Sequence, residues 1–472
     1  MLSISIALGG CVSTAGISHD QVMREPAETG AQAKFADWPK TGWWQGFGDE
    51  QLDQLVEHAL EGSPNITIAA KRLDQARANA EAAKAAIYPQ INGSASVVRQ
   101  RLSENSFYPP PYGGSYQTLA DASVNASWDL DFWGKNRNAL KAALSEASAL
   151  QAEQQAARLM VSTAVVRTYF QLAQALQQQA LAEQALNERG QELKLIRDRL
   201  RTGLDTNLEL NQGQGTLAAA EVDMESARAN VALARHALAT LSTEKPEALK
   251  TLAPTLPAMD IQGLPADVPV DIIGRRPDLA AARARVDAAT SGIAATKAEF
   301  YPNVSLSAFI GLSSFGLGEF LNFGSRVLGA GPAIHLPIFD AGRLRANLKS
   351  KNADLDIAIA SYNQTLLEAV QDVADQITSL DAAHKQVDKQ NAALLAAEEA
   401  YRLANLRYKA GLSPYLNVLS AEDQVLRERG RALSLKARRL DLNIALIKSL
   451  GGGYAALGEP KNQKTDTAYE QR

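Results

Sequence analysis

The sequence predicts a mainly α-helical fold that carries a membrane β-barrel, and three observations predict it. The first is a heptad. Ile359, Leu366, Val373, Leu380, Val387, Leu394, Tyr401 and Tyr408 recur at every seventh position, with the small residues Ala369, Ala383, Ala397 and Ala404 beside them and no Pro or Gly in the run. A strict seven-residue apolar period keeps one stripe on a partner only when helices supercoil. At ~1.5 Å per residue, a helix from Gly342 to Gly411 is on the order of 100 Å long, a rod and not a globular-domain element. The second observation is a change of period. Ala120, Ala122, Val124, Ala126, Trp128 and Leu130 alternate with Asp121, Ser123, Asn125, Ser127, Asp129 and Asp131, as do Val304, Leu306, Ala308, Ile310 and Leu312 with their polar neighbours. Alternation of this kind gives a strand with one apolar and one polar face. The third is an echo. Pro64 and Pro277 lie 213 positions apart, as do Tyr88-Pro89 and Tyr301-Pro302, and Gly134 and Gly342 lie 208 apart, as do Gly203-Leu204 and Gly411-Leu412. The chain is a duplicated helix, β-hairpin, very long helix, turn and helix, and a repeat on this scale governs the whole fold.

The elements follow in order. Residues 1–10 form a short apolar run ending in small residues before Cys11, the pattern of a lipoprotein signal segment; the plainer reading is an ordinary start followed by a lone cysteine. Residues 11–63 form a loop with Trp38, Trp43, Trp44 and Phe47, then a short amphipathic helix from Gln51 to Glu61. A Trp cluster in a loop more often packs on a neighbouring element than binds a ligand. The first repeat spans 64–243, with a hairpin at about 90–131 and long helices at 134–201 and 205–243. Pro64 suits a first helical turn, and Asp205 or Thr206 can cap the helix after the Gly203-Leu204 turn. Residues 244–274 are a Pro-rich connector. The second repeat spans 275–450, with a hairpin at about 303–338 and long helices at 342–411 and 414–450, and 451–472 is a polar tail read as disordered.

Composition excludes several function classes. The 472 residues carry a formal net charge of -4, so neither a basic nucleic-acid surface nor an acidic tail stands out. With one cysteine no internal disulfide forms, and the five histidines include no pair at metal-ligand spacing. No catalytic set, phosphate-binding Gly loop or metal site is found, so no enzyme activity and no cofactor are expected. Beyond the first segment no apolar run is long enough for a transmembrane helix.

The repeat poses a physical problem. Each half supplies two strands, and an open four-stranded sheet leaves exposed edges. If its apolar face lies in lipid, every backbone group must be paired and the sheet must close into a barrel. Closure by identical copies in a ring solves this, and three copies give a 12-stranded β-barrel on a long α-helical coiled-coil barrel.

These features resemble the outer membrane efflux protein family, the TolC/OprM-like outer membrane factors, in its NodT-type lipoprotein branch. The matching residues are Leu8–Cys11, Gly46–Ala76, Arg275–Leu279 with Ala295–Pro302, and the tips Arg199–Leu208 and Arg407–Leu416. The resemblance covers about residues 8–453. It implies a homotrimeric exit duct, lipidated at Cys11 and held in outer membrane lipid. Its far end would meet a periplasmic adaptor (membrane fusion) protein and an inner-membrane efflux pump. The tips Arg201, Thr202, Gly203 and Leu204, and Lys409, Ala410, Gly411 and Leu412, match where the family meets its adaptor; a plain helical hairpin also needs such a glycine. The family's closed end commonly carries a ring of aspartates early in the last helix. Here Asn417 and Ser420 stand at those positions, which implies a periplasmic gate of Tyr408, Leu416, Asn417, Leu419 and Ser420 with no acidic ring, and no metal. Glu422 and Asp423 one turn later read as a solvated face.

Two other readings stay open. A type I protein secretion system uses an exit duct of the same kind. A periplasmic coiled-coil scaffold or adaptor would explain the heptads but not the duplicated hairpins at the helix junctions.

Overall fold

The structure is a computed structural model, and it describes residues 13–29, 38–105, 107–257, 269 and 272–455. Cys11 lies outside the described residues. The elements are α1 (Glu50–Gly62), α2 (Pro64–Ala85), β1 (Gln90–Arg101), β2 (Tyr116–Asp129), α3 (Lys135–Arg201), α4 (Asn207–Ser242), α5 (Ile272–Arg275), α6 (Pro277–Ala298), β3 (Asn303–Phe315), β4 (Arg326–His335), α7 (Arg343–Lys409) and α8 (Tyr415–Ser449). The duplication is visible in their lengths: α2 and α6 have 22 residues each, α3 and α7 have 67 each, and α4 and α8 have 36 and 35.

The long helices start alike. Asp131 accepts from the backbone N–H of Asn136 and Arg137, each at 3.0 Å, and Asp340 accepts from Gly342 at 3.0 Å and Leu344 at 2.9 Å. Each carboxylate satisfies donors that a first helical turn leaves open and sits where the helix dipole favours negative charge. The strands differ from the alternating windows at their ends. β2 begins at Tyr116, four residues before the clean alternation, because Tyr116–Leu119 pair with Val98–Arg101. β4 stops at His335, short of Ile338, because Pro337 has no N–H to give a ladder.

The described chain divides into two compact units, each drawing on both repeats. One takes in the described parts of Met1–Met23, Arg72–Gln151 and Ala281–Asn363. It holds one antiparallel sheet in the order β1-β2-β3-β4. Along α7 it also holds the segment before α1: Asp356 accepts from the backbone N–H of Asp20 and Gln21 at 2.9 and 2.8 Å, and Asn363 donates to the Val22 carbonyl at 2.9 Å.

The other unit takes in the described parts of Arg24–Lys71, Ala152–Ala280 and Gln364–Arg472. Its core gathers Leu52, Val56, Val165, Tyr169, Leu238 and Ile444, each at 0 % exposure. The Trp cluster packs into it, as its composition suggests: Phe47 meets Phe170 edge-on at 4.9 Å and Trp43 meets Trp44 at 6.0 Å. Asp49 caps α1 and accepts from the Tyr169 hydroxyl at 2.6 Å, which ties the loop to α3. Arg276 is buried and binds Asp278 at 2.6 Å and the Ser449 carbonyl at 3.1 Å, so the start of α6 is pinned to the end of α8. Gly451 has φ 88°, and a Cβ there would lie 1.8 Å from the Arg275 carbonyl oxygen, so only glycine makes this turn.

The α7 heptad is not covered evenly. Ile359, Leu366, Val373 and Tyr408 are buried, whereas Leu380, Val387 and Leu394 are half-buried, and Leu367, Leu395, Leu403 and Leu406 are exposed.

Candidate functional site

Two regions carry unusual surfaces. The first is the sheet. Pairing Ile91 with Ala126, Val124 with Ile310 and Ile310 with Leu328 puts the alternating residues of all four strands on common faces. One face carries Ile91, Val97, Val124, Trp128, Ile310, Leu328 and Ile334, and Ile91, Ile310, Leu328 and Ile334 are 63–72 % exposed. The opposite face is polar and laced with short contacts: Ser94 Oγ to Ser123 Oγ at 3.1 Å, Ser313 to Asp121 at 2.6 Å and Asn303 to Asp129 at 3.2 Å. A soluble sheet buries its apolar face and wets its polar one; here, among the described residues, both are open. Strands of 10–14 residues suffice to span a hydrocarbon layer, and apolar-out, polar-in alternation is the pattern of a membrane barrel wall. Aromatic side chains gather where the sheet meets the helices. Trp133 stacks on Tyr301 at 4.6 Å, and the indole N–H groups of Trp128 and Trp133 donate to the carbonyls of Ile87 and Pro302, each at 2.9 Å. Tryptophan with a wet edge and an apolar face suits a membrane interface. Both β1 and β4 are edge strands of this sheet. Among the described residues, no helix is long and apolar enough to cross a membrane.

The second region is the pair of turns α3–α4 and α7–α8. Both use the same backbone device. Gly203 and Gly411 have φ of 75° and 74°. The N–H of Leu204 returns to the Arg199 carbonyl at 2.9 Å and that of Leu412 to Arg407 at 2.8 Å, while Gly203 and Gly411 bond to Leu200 and Tyr408 at 3.1 and 2.9 Å. This double closure satisfies the last helical carbonyls and normally folds an apolar side chain back on the helix. The residues it would cover here are Arg199 and Arg407, so Leu204 and Leu412 stand 66 % and 71 % exposed. All eight tip residues, Arg201–Leu204 and Lys409–Leu412, are exposed.

Behind the turns, side chains lock one helical hairpin to the other. Asp205 is at the centre. It accepts from Arg199 Nε at 3.0 Å and from the Tyr408 hydroxyl at 2.6 Å, and the Arg199 guanidinium lies 4.4 Å from the Tyr408 ring centre. Tyr408 packs on Tyr415 at 5.6 Å within a small core of Ile196, Tyr415 and Val418. Burial, then the Asp205 carboxylate, pushes the Tyr408 phenol upward in pKa, so it stays a donor. Tyr408, expected among the gate residues, is only 3 % exposed; Leu416, Asn417 and Ser420 are exposed and Leu419 is half-buried.

Farther along the same helices lies a buried charge cluster. Glu422 is 1 % exposed, which corrects the expectation of a solvated face; Asp423 alone keeps that character, with 46 % of its side chain exposed. Arg189 Nη1 lies 3.0 Å from Glu422 and Arg189 Nη2 donates to Asp423 at 2.7 Å. The Glu422 contact is proximity without hydrogen-bond geometry: neither Glu422 oxygen has a hydrogen-bond partner among the described residues. Glu192 accepts from Tyr401 at 3.2 Å and from Tyr415 at 3.1 Å. One guanidinium thus faces more than one carboxylate. Burial first, then Glu192, pushes the Glu422 carboxyl up to about 8, against the pull of Arg189.

Sequence reading missed Arg199 and Asp205 as a pair, and Arg189, Glu192, Tyr415 and Glu422 as a cluster. Asp205 was legible only as a cap, because its partner Tyr408 is 203 residues away. Among the described residues no group of His, Cys, Asp and Glu could hold a metal ion.

The chain is similar to known proteins over most of its length. The family described as outer membrane efflux protein matches residues 55–243 and 268–452. The chain is 31% identical over 472 residues to the multidrug resistance outer membrane protein MdtP of Escherichia coli O6:H1, covering 97% of this chain and 96% of that one. It is 33% identical to the fusaric acid resistance protein FusA of Burkholderia cepacia over 96% of this chain and 87% of that one. The crystal structure of the outer membrane protein VceC from Vibrio cholerae superposes with a TM-score of 0.83 at 36% identity, covering 88% of this chain and 100% of that one.

Proposed function

The chain belongs to the outer membrane efflux protein family, and on that premise we propose that it is the outer-membrane exit duct of a tripartite efflux system. It passes small molecules, drugs and toxic compounds among them, from an inner-membrane pump and a periplasmic adaptor to the exterior. The observation that carries this is the sheet: among the described residues nothing covers its apolar face, and its two outer strands have no further strand beside them. In lipid such a sheet must close, and four strands are too few to enclose a channel. Three copies, each pairing its β4 edge with the next copy's β1, make a 12-stranded barrel with Asp121, Asp129 and the serines facing a wet lumen. The half-buried middle of the α7 heptad and the exposed leucines beside it then find their cover on neighbouring staves of a helical barrel that crosses the periplasm. The resistance phenotypes in the names of MdtP and FusA support small-molecule cargo over protein export.

Within this duct Leu204 and Leu412 with their turns form the adaptor contacts, and Leu416, Asn417, Leu419 and Ser420 line the periplasmic gate while Tyr408 holds it from behind. Cys11 takes the lipid anchor. No catalytic step is assigned to any residue. Expression in an efflux-deficient strain with its cognate pump and adaptor should restore drug tolerance, and the three proteins should co-purify. The detergent-solubilised chain should have about three times the 50.6 kDa protomer mass. A monomer that extracts without detergent would overturn the reading. The gate has its own test: Asn417→Asp with Ser420→Asp should make bilayer conductance sensitive to divalent cations, and unchanged conductance would remove the gate from these positions.

A further inference from the structure

The apolar face of the sheet is not uniformly uncharged. Register places Arg99 and Arg101 of β1 and Arg326 of β4 on it, with Thr118, Tyr116 and Leu312 as their cross-strand partners. Every other described position on that face is neutral; the strand acids Asp121 and Asp129 belong to the polar face. The three arginines are also confined to one end. Arg101 closes β1, Arg99 lies two residues before it, and Arg326 opens β4, so all three sit beside the loops 102–115 and 316–325, away from the helices. The opposite end of the same face carries Trp128, Ile91 and Ile334 and no charge.

An arginine on a lipid-facing wall is most costly at the midplane and least costly at the interface, so confinement to a rim is expected of any such charge. What the rim requires beyond that is a polar residue, and serine, threonine or tyrosine would satisfy it. A guanidinium offers a fork of donors that fits a phosphate in two contacts, which those residues cannot do. The internal partners leave this capacity open. Arg99 is exposed, and its side chain has no hydrogen bond or ion pair among the described residues. Arg101 shares one nitrogen with Glu104 at 2.7 Å, and both side chains are at least half exposed. Arg326 gives its Nε to the Phe323 carbonyl at 3.0 Å and lays one face of its guanidinium on the Phe323 ring, which leaves its two terminal nitrogens open at the edge. Exposed Tyr116, Leu321 and Phe323 beside them supply apolar surface for acyl chains below a headgroup.

We propose that this loop-side rim binds the phosphate-bearing headgroups of the surrounding lipid, with Arg99, Arg101 and Arg326 as the contacting side chains. The proposal rests on the reading of the sheet as a membrane wall. Closure of β4 onto the next copy's β1 brings Arg326 of one copy to the edge that carries Arg99 and Arg101 of the next, so each seam becomes a three-cation site.

The test uses the full chain purified in neutral detergent. Wild type and the triple variant R99Q/R101Q/R326Q are titrated with diphosphorylated lipid A, with the same lipid stripped of phosphate, and with phosphatidylcholine, and retained lipid is counted by native mass spectrometry. Wild type should hold the diphosphorylated lipid about tenfold more tightly than the triple variant, with no such difference for the other two lipids. The corresponding triple lysine variant should fall between, since charge remains but the fork is lost. Equal retention by wild type and the glutamine variant, or retention indifferent to phosphate, overturns the proposal. Quenching of Trp128 by brominated lipid, isolated by difference with Trp128→Phe, separates the two readings. Quenching together with flat lipid titrations removes the rim site alone; no quenching removes the membrane wall and the rim site with it.

Discussion

The two turns share a backbone and differ in nearly every side chain behind it. Positions 208 apart carry Asp205 and Ser413, Thr206 and Pro414, and Glu209 and Asn417. At the first turn Thr206 and Glu209 form a reciprocal cap: Leu208 N–H donates to the Thr206 hydroxyl at 3.1 Å and Thr206 N–H to Glu209 at 2.8 Å. At the second, Pro414 offers neither a side-chain acceptor nor an N–H, and the buried Ser413 hydroxyl has no partner among the described residues. Asp205 accepts from two side chains where Ser413 makes no contact of the kind. Duplication conserved what the turn needs, a glycine at positive φ. It left the two turns free to diverge electrostatically, and the first became an anchor for the second.

Removing Asp205 should break the comparison most severely. Asp205→Ala leaves the Arg199 charge and the Tyr408 hydroxyl without their acceptor, and side-chain exposures of 5% and 13% for Asp205 and Arg199 give water limited access. Loss of one partner of such a pair costs about 2–4 kcal/mol. Hydrogen exchange in the last turns of α3 and α7 should accelerate accordingly, and closed-channel conductance should rise. Protection equal to wild type would mean that apolar packing of Tyr408 on Tyr415, and not the acid, holds the hairpins together.

The next largest effect should come with pH. Glu422 has its carboxyl pushed up to about 8, so the folded cluster binds its proton more tightly than the unfolded chain does. Its contribution to stability is full below the ordinary carboxylate range near 4.5, and is lost as pH rises through about 8. The groups that face it are Arg189, Glu188 and Glu192 from α3, Tyr401 from α7, and Asp423 and Tyr415 from α8. Melting curves from pH 5 to 9 should show the tip loosening at the alkaline end, and Glu422→Gln should flatten that dependence. A wild-type profile already flat over this range would remove Glu422 from the account.

The contrast also marks how far sequence carries. Heptad, alternation and the 208-residue echo place α3, α7, the four strands and both glycine turns, because each depends on residues close in sequence or on a period. Even the faces of the sheet were legible, since alternation survives pairing. The locks were not. Glu422 reads as one more acid on a polar helix until α3 brings Arg189 and Glu192 against it, and Tyr408 reads as a heptad and gate residue until Asp205 is found at its hydroxyl. Pairings between helices more than 200 residues apart leave no local signal in a single chain.

A smaller effect should follow at the cap. Thr206→Ala removes the acceptor for Leu208 N–H and the alignment of Glu209, at a cost of about 1 kcal/mol. Fraying confined to the first turn of α4, read by exchange at Leu208 and Leu210, is the expected result. A change that spread to α8 would tie the cap to the lock and not to its own helix.

The smallest effect should come from the second turn, and it sharpens the contrast by its sign. Ser413→Ala deletes a buried hydroxyl that has no partner among the described residues, so no hydrogen bond is lost and an unmet polar group is removed. Such a change is expected to be neutral or to stabilise by less than about 1 kcal/mol. Ser413→Asp asks the reverse question. It recreates the acid of the first turn, but position 413 pairs by repeat with 205, and the residue matching Tyr408 is Leu200, which has no hydroxyl to donate. The new carboxylate would be buried without a donor and should destabilise the turn, with faster exchange at Leu416 and Asn417. A stabilised Ser413→Asp would mean that Arg407, the repeat partner of Arg199, swings in to meet it, and that the asymmetry of the two turns is a matter of one residue.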